Sequence, residues 1–171
     1  MVTAKYEKMK KSMKITALKC IISASILLLL SPGCFDDRKI LFDHQLLEWE
    51  PLNRATNALS TNIDLEADET DNRTVNLRIQ YAGAHVDHSL TAAYEVYAPE
   101  TTATEGEHFQ ILGDKILEVP ANSSVSTPLE LEILSGAIMP GDSYTIVLRI
   151  TEDSDVPPME NYKDFTINIS K

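Results

Sequence analysis

From about residue 60 to the end, apolar and polar side chains alternate with a period of two, the signature of half-buried β-strands. TVNLRIQY is the cleanest case. It puts Val75, Leu77, Ile79 and Tyr81 on one face and Thr74, Asn76, Arg78 and Gln80 on the other. NIDLE alternates through Ile63 and Leu65, and LTAAYEVYA through Leu90, Ala92, Tyr94 and Val96. HFQILGDKILEVP reads as two short strands around a Gly113-Asp114 turn. LELEIL buries Leu129, Leu131 and Ile133; YTIVLRI buries Tyr144, Ile146, Leu148 and Ile150; FTINI closes with Phe165, Ile167 and Ile169. Upstream, ILFDHQLLEW is a first strand and EPLNRATNALSTN a connection. The linkers ADETDN, YAGAHVDH, PANSS, MPGD and DSDVPP carry turn residues, and no helix longer than a turn or two is signalled. The pattern therefore predicts an all-β, Ig-like antiparallel β-sandwich of about seven to nine strands, with one wet face per sheet. Val75, Leu77, Ile79, Leu131, Ile133, Ile146, Leu148, Phe165 and Ile167 form its expected core.

The first 33 residues follow another rule. Residues 1–19 hold six lysines and a single acid, Glu7, and residues 20–30, CIISASILLLL, are eleven uncharged positions. A basic segment before an apolar run of about 7–15 residues is an export leader; a membrane span needs about 20. Met9 and Met13 are alternative starts to Met1. The leader ends in LLSPGC, which resembles the lipobox of bacterial lipoproteins, with Ser31 standing where that pattern has leucine and Leu30 one position further back. The resemblance implies that Cys34 is diacylated, that the leader is cleaved before it, and that the new amino terminus is acylated. Asp36 and Asp37 resemble the acidic tag behind the lipidated cysteine of surface lipoproteins in Bacteroidetes-type bacteria. The expected organisation is a leader at 1–33, a lipidated tether at 34–39 and one β-sandwich at 40–171. The expected location is the outer membrane, facing the cell exterior.

Charge narrows the partners. The leader removes six lysines and one glutamate, leaving nine basic against 25 acidic residues in 34–171, a net charge of −16. Nucleic acid and polybasic docking to anionic lipid are excluded, so the acyl chains must hold the membrane. Cys20 leaves with the leader and Cys34 is acylated, so no thiol remains for a disulfide.

One stretch is more specific than generic β. Residues 101–134, TTATEGEHFQILGDKILEVPANSSVSTPLELEIL, resemble the Calx-beta-like Ig-fold modules through Ala103, Glu105, Gly106, Phe109, Pro120, Ala121 and Ser124. The resemblance extends over roughly residues 60–171. It implies the same sandwich, a layout shared with small surface lipoproteins, many of unknown function, found beside outer-membrane nutrient-uptake systems. Some such modules bind calcium through acids at one end, which makes Glu105, Glu152, Asp153 and Asp155 candidate metal ligands, with Glu107, Glu160 and Asp164 nearby. Calcium takes six to eight oxygen ligands. The acids are scattered, so no cofactor is expected as a structural requirement and calcium is the one the pattern allows.

Three further features bear on function. His85, Asp87 and His88 are close in sequence but lack a third or fourth ligand, which makes a solvated turn the simpler reading. Trp49 is either a sugar-stacking platform or a residue that seals the sandwich. No serine sits in a nucleophile elbow, and no HExxH or glycine-rich phosphate loop occurs. The expectation is a non-catalytic cell-envelope binding or scaffolding module, accessory to glycan or other nutrient uptake. The alternatives are a calcium-binding adhesion-type module and, more remotely, a secreted hydrolase.

Overall fold

The computed structural model describes residues 44–53 and 55–171. Period-two alternation becomes ten strands there: β1 (Leu46–Trp49), β2 (Ser60–Asp64), β3 (Arg73–Leu77), β4 (Ile79–Ala82), β5 (Leu90–Val96), β6 (Phe109–Leu112), β7 (Ile116–Val119), β8 (Leu129–Ile133), β9 (Ser143–Ile150) and β10 (Asp164–Ser170). Among the described residues, helical structure is confined to the 3-10 turns Ala98–Glu100 and Ser135–Ala137. The tenth strand arises because TVNLRIQY breaks at Arg78. β3 pairs with β8, whereas β4 pairs with β1. Along β4 the place of β8 is taken by residues 124–126: the Tyr81 N–H donates to the Ser124 carbonyl (2.8 Å), and the Ser126 N–H donates to the Ile79 carbonyl (2.9 Å). Pro128 lies between that segment and β8 and has no N–H to continue the ladder.

The result is two layers. One layer is a five-stranded sheet of order β2-β10-β9-β5-β7; the other holds a two-stranded sheet, β1-β4, and a three-stranded sheet, β3-β8-β6, joined where β3 runs on into β4. The chain is an Ig-like β-sandwich. A single apolar core joins the layers and contains all nine residues expected from the pattern, each buried. Trp49 on β1 makes edge contacts with Tyr94 on β5 and Phe165 on β10, so one indole spans both sheets. Leu41–Lys171 form a compact unit of their own, and every described strand finds its partner inside it, so residues 41–171 are the part expected to fold when expressed alone.

Two connections depart from the expected pattern. The Gly113-Asp114 turn does not close a hairpin. β6 belongs to one sheet and β7 to the other, and Gly113, at φ +122°, turns the chain between the layers. The edge strand β2 pairs parallel to β10, whereas the other strand-to-strand ladders among the described residues are antiparallel. The 101–109 stretch behaves as expected of it. Gly106 has φ +84°, its N–H donates to the Phe109 carbonyl (2.7 Å), and Phe109 is fully buried.

Candidate functional site

The residues singled out in the sequence do not converge. Cys34 lies outside the described residues. Trp49 is a correction to the platform reading. Its ring is completely buried, and its Nε1–H donates to the Lys163 carbonyl at 2.8 Å, so it offers no face to a sugar. Glu105 forms an ion pair with Lys115 (2.9 Å). Glu160 pairs with Lys163 (2.8 Å), and Asp164 grips Arg149 with both oxygens at 2.6 Å. Glu107, Glu152 and Asp153 face solvent. His85, Asp87 and His88 are exposed, with only a 3.3 Å contact between His88 and Asp87. Among the described residues no three His, Cys, Asp or Glu side chains are grouped to hold a metal ion.

Asp155 has a structural task. Its Oδ2 accepts from both the N–H and the hydroxyl of Thr91 (2.7 Å each), tying the 151–156 loop to the start of β5. These bonds, the backbone one foremost, hold its carboxyl below the usual aspartate range. A carboxylate whose pKa is lowered by folding stabilises the fold above its unfolded pKa, about 3.9, and loses that contribution as pH falls through the folded value. Asp155→Asn is therefore expected to be less stable than the parent at pH 7, with the gap narrowing below about pH 4. Urea unfolding at pH 7 and pH 3 measures this, and an equal gap at both would refute it.

Among the described residues, a groove opens on the outer face of the layer that holds β1, β4 and β3. β1 ends where Pro51 can no longer donate, and the chain leaves the ladder as a loop that folds back at Asn57, φ +48°. Beneath this loop runs the outward stripe of the broken strand: Asn76, Arg78 and Gln80. Two open depressions meet at Pro51. One, of about 410 Å³, is lined by Glu50, Pro51, Leu52, Asn76 and Arg78. The other, of about 370 Å³, is lined by Glu48, Pro51, Asn57, Gln80, Ser124 and Val125. Glu48 stands directly across the ladder from Gln80, and partial burial raises its carboxyl pKa.

Three polar side chains of this lining, Asn76, Arg78 and Gln80, have no side-chain partner among the described residues. Six lysines and arginines fall among the described residues. Arg73, Lys115, Arg149 and Lys163 are ion-paired, and the Lys171 ammonium donates to the Glu69 and Ser135 carbonyls. Only Arg78, among these six, has neither an ion pair nor a side-chain hydrogen bond, and the amides of Asn76 and Gln80 are likewise without partners among the described residues. The alternation that marks Asn76, Arg78 and Gln80 as outward is plain in the sequence. That a distant loop roofs them is not.

Comparisons with known proteins agree on the fold. No protein-family model matches the chain, and no curated protein does either. Among solved structures, the chain is similar to a candidate carbohydrate-binding protein from Bacteroides ovatus, with a TM-score of 0.56 and 14% identity over 74% of this chain and 37% of that one. It is similar to the apo form of the Calx CBD1 domain, with a TM-score of 0.53 and 14% identity over 75% of this chain and 97% of that one. A second Bacteroides ovatus protein, of unknown function, has a TM-score of 0.52 and 17% identity over 72% of this chain and 46% of that one. The chain thus spans less than half of either Bacteroides protein and nearly the whole Calx domain. At these identities the likeness is one of fold: a Calx-beta-like sandwich.

Proposed function

We propose that this chain is a non-catalytic binding module of the cell envelope, held to the membrane through Cys34, that takes glycan chains along the groove at Pro51. The groove is the observation that carries the reading. It is open rather than enclosed, as suits a polymer passing through. Its lining mixes amides, a guanidinium and a carboxylate, which together donate to and accept from sugar hydroxyls, with Pro51, Leu52 and Val125 as apolar contact. The likeness to a candidate carbohydrate-binding protein supports the same direction. Of the candidate calcium ligands, Glu105 pairs with Lys115 and Asp155 is bound by Thr91, while Glu152 and Asp153 face solvent.

The test is calorimetric titration of residues 41–171 with a panel of soluble neutral and acidic polysaccharides. At least one is expected to bind, and Asn76→Ala combined with Gln80→Ala is expected to weaken it tenfold or more, since two lost polar contacts at about 1 kcal/mol each exceed the 1.4 kcal/mol that makes a factor of ten. Both side chains point outward, so the variant keeps its fold. Binding to no glycan, or binding that the double variant leaves intact, would overturn the reading.

A further inference from the structure

We infer that the groove selects a glycan carrying isolated anionic groups on an otherwise neutral backbone, an inference that rests on the glycan-binding reading above. Arg78 is the reason for the anion. In an acidic chain the other described cations are all engaged, and among them this guanidinium alone is held in reserve, in the middle of the outward stripe and in the depression it shares with Asn76. A guanidinium presents a planar fork that matches a carboxylate or a sulfate with two parallel hydrogen bonds.

The surroundings are the reason the anion must be isolated. Across the ladders, Glu48 faces Gln80, Glu130 faces Asn76 and Glu132 faces Thr74, all on the same outer face. A chain with a charge on every sugar would set most of its anions against these carboxylates, and like charges at close range are unfavourable. A single anion at Arg78, with neutral rings to either side over Asn76 and Gln80, meets attraction at one point and hydroxyl-binding amides at the next. Successive outward residues advance about 6.6–6.8 Å along a strand, so the three side chains address neighbouring parts of one extended chain.

The experiment titrates residues 41–171 with four oligosaccharides of equal length: an unsubstituted xylan, the same xylan with one glucuronate, the same xylan with one sulfate, and an oligogalacturonate charged at every ring. At least one singly charged chain is expected to bind ten times more tightly than both the neutral and the fully charged chain. The glucuronate and sulfate arms tell which anion the fork accepts. Arg78→Ala should bring the ratio of singly charged to neutral binding close to one. Neutral and singly charged chains of equal affinity, or tightest binding by the oligogalacturonate, would overturn the inference. If the Asn76/Gln80 double variant still weakened that binding, glycan binding at the groove would stand. Binding by none of the four would leave this inference without support and, if the wider panel also fails, end the glycan reading with it.

Discussion

Replacing Trp49 by alanine is expected to cost the sandwich about 3–5 kcal/mol, the range for removing a large buried aromatic ring. Against a total stability of about 5–15 kcal/mol, that leaves a marginal fold. Three losses coincide. The indole is fully buried at the end of β1. Its ring meets Tyr94 at 5.9 Å and Phe165 at 6.1 Å, both edge-on, so its removal opens a cavity between the layers. Its Nε1–H is also the hydrogen bond that holds the Lys163 carbonyl, just before β10 begins. The midpoint of thermal unfolding should fall by about 10–20 °C for a domain of this size. Trp49→Phe keeps an aromatic ring but loses the indole hydrogen bond, while the Lys163 carbonyl still accepts from the Ile150 N–H (2.9 Å); the lost bond and the smaller ring together give an expected loss of about 1–3 kcal/mol, a graded reading if the alanine variant does not fold. A melt of Trp49→Ala within 3 °C of the parent would mean that the ring does not bind the sheets together, which no reading of this core allows.

The same residue shows where sequence stops being informative. Period-two alternation identifies both faces of TVNLRIQY correctly, because a one-residue slip would bury Asn76, Arg78 and Gln80 and expose Val75, Leu77 and Ile79. Alternation is local, and it survives intact into the structure. Trp49 sits at the end of a four-residue strand beside a proline, where alternation is too short to separate a sealing residue from an exposed platform; its burial is decided by β5 and β10, far away in the chain. Strand pairing is non-local for the same reason. Nothing at Gly113-Asp114 distinguishes a hairpin from a crossing between layers, and nothing in NIDLE announces a parallel partner more than a hundred residues later.

The acidic residues teach a related point. In a chain this acidic, proximity in sequence says little about what each carboxylate does. Asp155, one of the candidate ligands, is bound by Thr91, and Asp164 by Arg149, partners supplied by other strands. His108 was passed over in the sequence although it is buried, accepts from the Thr104 N–H at Nδ1 (2.9 Å) and stacks on Tyr144 with ring centres 4.0 Å apart. Its position beside Gly106 and Phe109 was the available signal: a polar ring next to a tight turn serves to bind that turn's backbone. The groove escaped notice for the opposite reason. Its floor residues looked like ordinary solvent-facing positions, and only the loop from Pro51 to Asn57 makes a site of them.

Cys34→Ala is expected to move the protein from the membrane fraction to the soluble one. Among the described residues no helix is long and apolar enough to cross a membrane. On the proposal that the leader is cleaved before Cys34, the remaining chain carries a charge of −16, which opposes adsorption to anionic lipid, so attachment would rest on acyl chains. A buried methylene contributes about 0.8 kcal/mol and one chain anchors only reversibly, whereas the lipoprotein pathway places at least two on one cysteine. Losing that cysteine therefore removes the whole anchor at once rather than a fraction of it. It also removes the cleavage signal, and an uncleaved leader with its eleven-residue apolar run would confuse the result. A second form, with residues 1–34 replaced by an ordinary cleavable secretory leader, separates the two effects. The parent should pellet with membranes and carry fatty acid on its amino-terminal peptide by mass spectrometry. The leader-swapped form should carry none and remain in the supernatant. If that form still pellets quantitatively, attachment resides in the 35–171 chain, and the acylated-cysteine reading of LLSPGC is wrong.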